Sequence, residues 1–421
     1  MTAETTEADV VVVGAGPGGA ATAAHLAMAG RHVVVLDKAV FPRDKACGDG
    51  LTPRAVRELL RLGFAPAELA RWQRQVGLRI WAGRPAPYLL PWPRLRDFPN
   101  YSLVRRRTEF DAALVAKARA AGAVVEEGVH VDQPLLDAQG RVSGVAARDG
   151  RRYRAPVTVA ADGNSARLAV ALGWQRRPDR PMGVAVRAYF ASPRSDEVWL
   201  ESWLELWDGV PGASNLLPGY GWVFPMGDGT CNVGLGMLST AAGFGRTDYR
   251  DLLRRWLANT PAAWGFREAA QASPIRGAAL PMGFDRGPAY GRGLVLVGDA
   301  AGLVSPFNGE GISYALESGR YAAAAIDEAL GCPRGGPAAE AALRRYPRLL
   351  SQAWGSHFRI GNLFTRFVGH AGFMRFASRY ALAVPGVPEL VHRLMANLAD
   401  ERPADGYDVV VHALRGLAPP L

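Results

Sequence analysis

The chain has 421 residues, of which 49% are hydrophobic and 21% charged. That excludes a disordered or fibrous protein and exceeds one ordinary domain. The 49 Lys and Arg outnumber the 39 Asp and Glu, for a formal charge of +10, and lysine occurs only at Lys38, Lys45 and Lys117. An arginine-rich surface suits a membrane face or a phosphorylated partner; nothing beyond charge argues for nucleic acid, and none is expected. Cys47, Cys231 and Cys332 are too few and too scattered for a disulfide framework or zinc site, the seven histidines do not cluster, and no metal is expected.

The polar, acidic residues 1–9 do not read as a signal peptide. The uncharged stretches 10–30 and 209–227 are broken by glycine or proline, so neither reads as a membrane-spanning helix. The expected location is cytoplasmic, peripherally attached to the inner face of the membrane. Val10 to Val13 reads as a buried parallel strand. Gly14-Ala15-Gly16-Pro17-Gly18-Gly19 follows, then an alanine-rich helix to Ala29 with Gly30 at its end, and a second strand ending at Asp37. Gly14 permits the tight turn, Gly16 the approach of a pyrophosphate, and Gly19 close packing of helix on strand, while Asp37 can accept from ribose hydroxyls. A dinucleotide site is the consequence.

Next comes the run Phe41-Pro42-Arg43-Asp44-Lys45-Ala46-Cys47-Gly48-Asp49-Gly50. Arg107 precedes Phe110-Asp111, and a strand from Ala123 to Glu126 leads to Val131. Val157 to Gly163 and Leu294 to Val297 read as buried strands ending at Asp162 and before Asp299. Either aspartate could be a helix cap, but Asp299 could equally bond a ribityl hydroxyl. Residues 181–280 alternate as an antiparallel sheet does. Within them Pro218-Gly219-Tyr220-Gly221-Trp222-Val223-Phe224-Pro225 precedes Gly234-Leu235-Gly236, and Tyr220, Trp222 and Phe224 fall on one strand face. That face is either core or cavity wall. Trp199, Trp203 and Trp207 share another face with Glu201 and Glu205, read as half-exposed. Gly309-Glu310-Gly311-Ile312 opens an apolar helix.

In this order after the glycine turn, Asp162 and Asp299 resemble the FAD-binding pattern of the para-hydroxybenzoate-hydroxylase-like flavoproteins. The resemblance implies that Arg107 lies near the flavin diphosphate, that Val131 meets the adenine, and that the helix opening at Gly311 and Ile312 points at the flavin's pyrimidine edge. The stretches around Cys47 and Tyr220 resemble the geranylgeranyl reductase family over roughly residues 8–320, most closely its actinobacterial branch acting on a menaquinone side chain. It implies that Cys47, Gly48, Asp49 and Gly50 form a turn beside the flavin, and that Tyr220, Trp222, Phe224 and Pro225 wall the substrate cavity.

The expected fold is α/β: a Rossmann-type FAD domain from residues 1–75, 101–178 and 281–330, an antiparallel-sheet substrate domain from 76–100 and 179–280, and a C-terminal helical region at 331–421. The expected reaction is reduction of isoprene double bonds in a prenyl lipid. FAD is the cofactor, and NAD(P)H or a ferredoxin-like protein the electron donor, since no second dinucleotide fingerprint is found. Cys47, Tyr220 and Trp222 are the candidate catalytic residues, with Arg43 and Lys45 favouring the Cys47 thiolate. Ile360, Leu363, Phe364, Phe367 and Val368 keep helical spacing among Arg359, Arg366, Arg375 and Arg379, either a packed helix or a basic amphipathic element on anionic lipid. An FAD-dependent aromatic hydroxylase shares the fold, and a non-catalytic prenyl-binding chaperone would need the glycine turn without redox chemistry.

Overall fold

The computed structural model describes residues 5–241, 244–333, 335–368 and 370–418. Among them, Val10–Val13 is buried along its whole length and sits inside a six-stranded sheet. Its neighbours are Val33–Asp37 on one side and Val157–Ala160 on the other, both parallel to it. Val124–Glu127 and Leu294–Leu296 extend the parallel array, and only the edge strand Tyr290–Gly291 runs antiparallel. Valine-rich runs suit strands covered on both faces. One covering layer is the helix Pro17–Met28 crossing the helix Ile312–Leu330. The crossing is close: a Cβ on Gly319 would lie 2.7 Å from the carbonyl oxygen of Gly18. The helix starting at Ile312 extends five residues past Ala325, where the apolar pattern weakens.

A seven-stranded sheet stands beside this unit, in the order Arg276–Pro281, Met182–Ala191, Thr230–Leu238, Gly219–Pro225, Trp199–Trp203, Gly77–Trp81, Tyr88–Pro91. All neighbours are antiparallel except Trp199–Trp203 and Gly77–Trp81, which are parallel, so the expected antiparallel sheet is mixed at that point. Strand alternation cannot reveal strand direction.

The tryptophan face is more covered than its sequence suggests. Trp203 stacks on Trp81 with centroids 5.0 Å apart and meets Trp256 of the helix Tyr249–Ala258 edge-on. Between them Glu201 is fully buried, accepting from Arg79 at 2.6 Å and from the Arg194 guanidinium. The opposite face of the strand, Leu200 and Ser202, looks into a cavity. The cavity-facing side chains of this strand are therefore those between the tryptophans.

The C-terminal segment is helical: Pro337–Leu350, Ser356–Val368, Ala371–Arg379, Val387–Met395 and Gly406–Gly416. Two sheets and these helices enclose a cavity of about 1030 Å³ running from the glycine turn to Phe364 and Phe373. No described helix is long and apolar enough to cross a membrane.

Removing one member of a buried ion cluster leaves uncompensated charge. Glu201→Ala is expected to cost ~3–5 kcal/mol of folding free energy, read as a lower urea midpoint at unchanged slope.

Candidate active site and cofactor cradle

Glycine makes the cradle sterically possible. Gly14 has φ +102°, and a Cβ there would lie 2.3 Å from the carbonyl oxygen of Ala161; a Cβ on Gly19 would lie 1.8 Å from the oxygen of Gly14. Strand, turn and helix are thus in direct backbone contact. Gly16 by contrast faces open space, with the Arg43 guanidinium the nearest group at 3.7 Å. An open backbone at a helix N-terminus under a cation fits a pyrophosphate. Arg43 is thus the cation beside Gly16, where sequence reading had assigned it to Cys47; its Nη1 lies 2.6 Å from Asp111. Arg107 lines the same cavity and holds the same Asp111 in a two-pronged pair, at 2.8 and 2.7 Å, so the two guanidinium groups share one carboxylate.

Asp37 accepts from the backbone N–H groups of Ala15 (2.7 Å) and Ala39 (2.8 Å), so the carboxylate expected at a ribose also fastens the turn. Asp162 accepts from Arg167 N–H at 2.6 Å, the capping role, yet its Oδ1 is buried without a partner beside the cavity. Asp299 faces the cavity with a long contact to Lys45, 3.9 Å, leaving acceptor capacity for a hydroxyl-rich chain. Val131, Gly311 and Ile312 line the cavity as well. An orphan acceptor, an open glycine under a cation and a hydroxyl-accepting carboxylate together fit an FAD.

The two sequence motifs around Cys47 and Tyr220 meet each other. A Cβ on Gly48 or Gly50 would come within 3.0 or 3.1 Å of the Phe224 ring. Trp222 pairs in register with Gly234, and a Cβ there would fall 2.3 Å from the indole, so the glycine lets the ring lie across the neighbouring strand. Tyr220, Trp222 and Phe224 form a continuous wall with centroids 6.1 and 6.3 Å apart. Tyr220 Oη donates to Asn308 O at 2.5 Å, and Trp222 Nε1 donates to Asn232 Oδ1 at 3.0 Å.

Three expectations change. Pro225 is buried opposite Cys231 on the other strand face, outside the cavity lining, because side chains alternate. Asp49 turns away from the cavity: at φ +64° it accepts from Tyr189 Oη (2.5 Å) and Asn232 Nδ2 (2.9 Å), a network that single-sequence reading had no way to pair. Cys47 lines the cavity half-buried, and burial pushes its thiol up, against the Arg107 guanidinium; Arg43 and Lys45 are engaged with Asp111 and Asp299, so the expected thiolate gives way to the thiol.

The FAD binding domain family profile matches residues 7–348. The chain is 39% identical over 400 residues to the menaquinone reductase of Mycolicibacterium smegmatis, covering 95% of this chain and 94% of that protein. It is 32% identical over 336 residues to digeranylgeranylglycerophospholipid reductase 1 of Methanopyrus kandleri, covering 77% and 81%. Among solved structures, a geranylgeranyl bacteriochlorophyll reductase-like protein from Thermoplasma acidophilum superposes with a TM-score of 0.75 at 22% identity, over 97% of this chain and 96% of that one, a likeness of fold.

Gly19→Ala, whose Cβ would meet the Gly14 oxygen at 1.8 Å, should displace the turn, lower the unfolding midpoint, and give a protein that purifies without visible flavin absorbance and does not regain it in excess FAD. Burial raises the Asp49 carboxyl from its ordinary 3.8 to about 6. The folded state therefore holds that proton more tightly than the unfolded chain. The associated stability is complete below the unfolded value and is lost as pH rises through about 6, by up to ~3 kcal/mol. Thermal unfolding across pH 4–8 should show this decline, and Asp49→Asn should flatten it.

Proposed function

The chain belongs to the FAD-binding family of flavoprotein reductases that contains these menaquinone and digeranylgeranylglycerophospholipid reductases, and on that premise we propose that it saturates isoprene double bonds of a prenyl lipid, a menaquinone-type side chain first among them. The observation that carries this reading is the junction of a dinucleotide cradle with an apolar, aromatic-walled cavity that continues to Phe364 and Phe373.

Reduced FAD, when bound, supplies a hydride that adds with one proton across a C=C bond and leaves the flavin oxidised. The chain's own residues do the rest. Gly14, Gly16 and Arg43 hold the diphosphate, Asp299 and Asp37 the sugar hydroxyls, and the N–H groups at Gly311 and Ile312 the electron-rich end of the ring system. An isolated alkene has no polar handle, so affinity comes from burying apolar surface, roughly 0.8 kcal/mol per methylene. Tyr220, Trp222 and Phe224 turn their π-faces to the carbon that becomes electron-poor as the proton adds. Tyr220 and Trp222 spend their polar hydrogens on Asn308 and Asn232, which orients the rings and removes them as proton sources. Cys47 and Glu310 remain on the lining, both pushed up by burial; Glu310 accepts from Ser313 N–H and Oγ, which favours its ionised form, and the Cys47 thiol, kept protonated by burial, holds the proton at Sγ on the cavity side. Reducing equivalents come from NAD(P)H or a ferredoxin-like protein, which anaerobic reduction assays with each donor separate.

The lipid arrives from a bilayer. Leu363, Phe367, Phe376 and Tyr380 are each about half exposed, continuous with Phe364, Phe373 and Met374 in the cavity lining and interspersed with Arg366 and Arg379. Apolar side chains flanked by arginines suit an anionic membrane surface.

Dithionite-reduced holoenzyme incubated with a polyprenyl naphthoquinone should, after the head group is re-oxidised in air to the quinone, yield a product whose side-chain fragments are heavier by one pair of hydrogens; a side chain of unchanged mass would refute the reading. Cys47→Ser should keep its yellow colour while kcat falls by about a hundredfold. Phe376→Asp combined with Tyr380→Asp should weaken sedimentation with anionic vesicles at least ~10-fold, leaving the flavin spectrum intact.

A further inference from the structure

Beyond the aromatic wall the cavity is bounded by Leu78, Ile80, Leu90, Leu200 and Val391, all apolar. His392 lies in the same wall, 4% exposed, and its Nε2 is buried with no hydrogen-bond partner among the described residues. Folded proteins rarely retain such a group, because an unmet buried polar atom costs ~1–3 kcal/mol. The ring is fixed against Trp92, centroids 4.8 Å apart, and Trp92 cannot satisfy it because its own Nε1 donates to Ser102 Oγ at 2.9 Å. Burial, reinforced by the neighbouring Arg393 charge, lowers the imidazole to about 4, so the ring is neutral and offers one donor and one acceptor.

The position of His392 along the cavity is defined by its helix. Val387–Met395 ends against the loop that precedes Gly311: Asn308 Nδ2 donates to Met395 O at 3.2 Å, and Asn397 Nδ2 donates to Tyr314 Oη at 3.1 Å. His392 is three residues, ~4.5 Å of helical rise, back from that anchor. The apolar surface at Phe364 and Phe373 lies on other helices, Ser356–Val368 and Ala371–Arg379.

We propose that His392 Nε2 hydrogen-bonds a ring oxygen of the substrate's head group, so that a prenyl quinone is held head-first with its tail leading out past Phe364 and Phe373. This deepens the prenyl-reductase reading and rests on it. A quinone carbonyl accepts a hydrogen bond and a hydroquinone hydroxyl can donate one; a neutral imidazole answers both. A phosphate head would need a cation at this point, and Arg393, whose charge acts on His392, is committed to Asp405 and Asp408 at 2.6 and 2.9 Å. Burying an unpaired anion there is unfavourable, so His392 selects an uncharged oxygenated ring over a phospholipid.

The test compares reduced holoenzyme on two chains of equal length, a polyprenyl naphthoquinone and a polyprenyl hydrocarbon without a ring, with the saturated position read by tandem mass spectrometry. Wild type is expected to prefer the quinone in kcat/KM and to saturate one position. His392→Leu is expected to lose about tenfold of that preference, chiefly through KM, and to scatter the saturated position. His392→Gln, which restores a donor and an acceptor, is expected to recover both. Should the Leu variant fail to retain FAD, His392→Phe keeps a ring against Trp92 and carries the same expectation. Unaltered preference and position in the Leu or Phe variant would overturn the head anchor while the prenyl-reductase reading stood; a wild type inert on both chains would overturn that reading and the anchor with it.

Discussion

The rest of the molecule is arranged around one contact: the Phe224 ring lying on the two glycines that flank Asp49. It joins a turn that leaves the nucleotide-side unit to the central strand of the other sheet. Any side chain at Gly48 or Gly50 would hold the two apart, and the space between would admit water. A site that must deliver hydride to an uncharged alkene needs that water excluded, because both the electrostatics and the protonation state of Cys47 depend on low polarity. The glycines opposite Trp222 serve the same end by letting indole, not backbone, form the surface.

Around this dry junction the polar groups are tied down in layers. Asn232 bridges the two motifs, donating to Cys47 O and Asp49 Oδ2 while accepting from Trp222. Tyr189 reaches Asp49 from the neighbouring strand, with the Arg106 and Arg187 guanidinium groups over its ring at 4.1 and 4.5 Å. Behind the long helix, Arg54, Arg57 and Arg320 surround Glu317 and Glu58. These arginines are internal structure, since the guanidinium fork pairs with carboxylates where a lysine would not. Such pairing consumes carboxylates as well as arginines, so it leaves the formal excess of +10 in place.

The C-terminal helices give the cavity its length. Several of their outward residues are apolar and their inward residues line the same space, so the cavity lining continues as apolar surface from the aromatic wall to Phe364 and Phe373. Such a path is non-directional, so a polar feature is needed to fix which part of a repetitive chain stops beside the flavin. His392 is the group with an unmet hydrogen bond in the right wall.

The chemistry of the cradle was legible in the amino-acid sequence because it is local. Gly14, Gly16 and Gly19, the valine strands and the helix that follows are dictated by sterics and burial within a few residues, and the alternation of Tyr220, Trp222 and Phe224 put them on one face from strand geometry alone. The family resemblance extended that to FAD and to a prenyl chain. Folding alone decided what depends on partners distant in the chain. Asp49 turned from the cofactor to Tyr189 and Asn232, Pro225 fell on the far face, Arg43 rather than Arg107 came to stand over Gly16, and Cys47 kept its proton because the surrounding walls desolvate it. Side-chain type and spacing determine local geometry; solvation and charge pairing belong to neighbours that only the tertiary structure brings into contact.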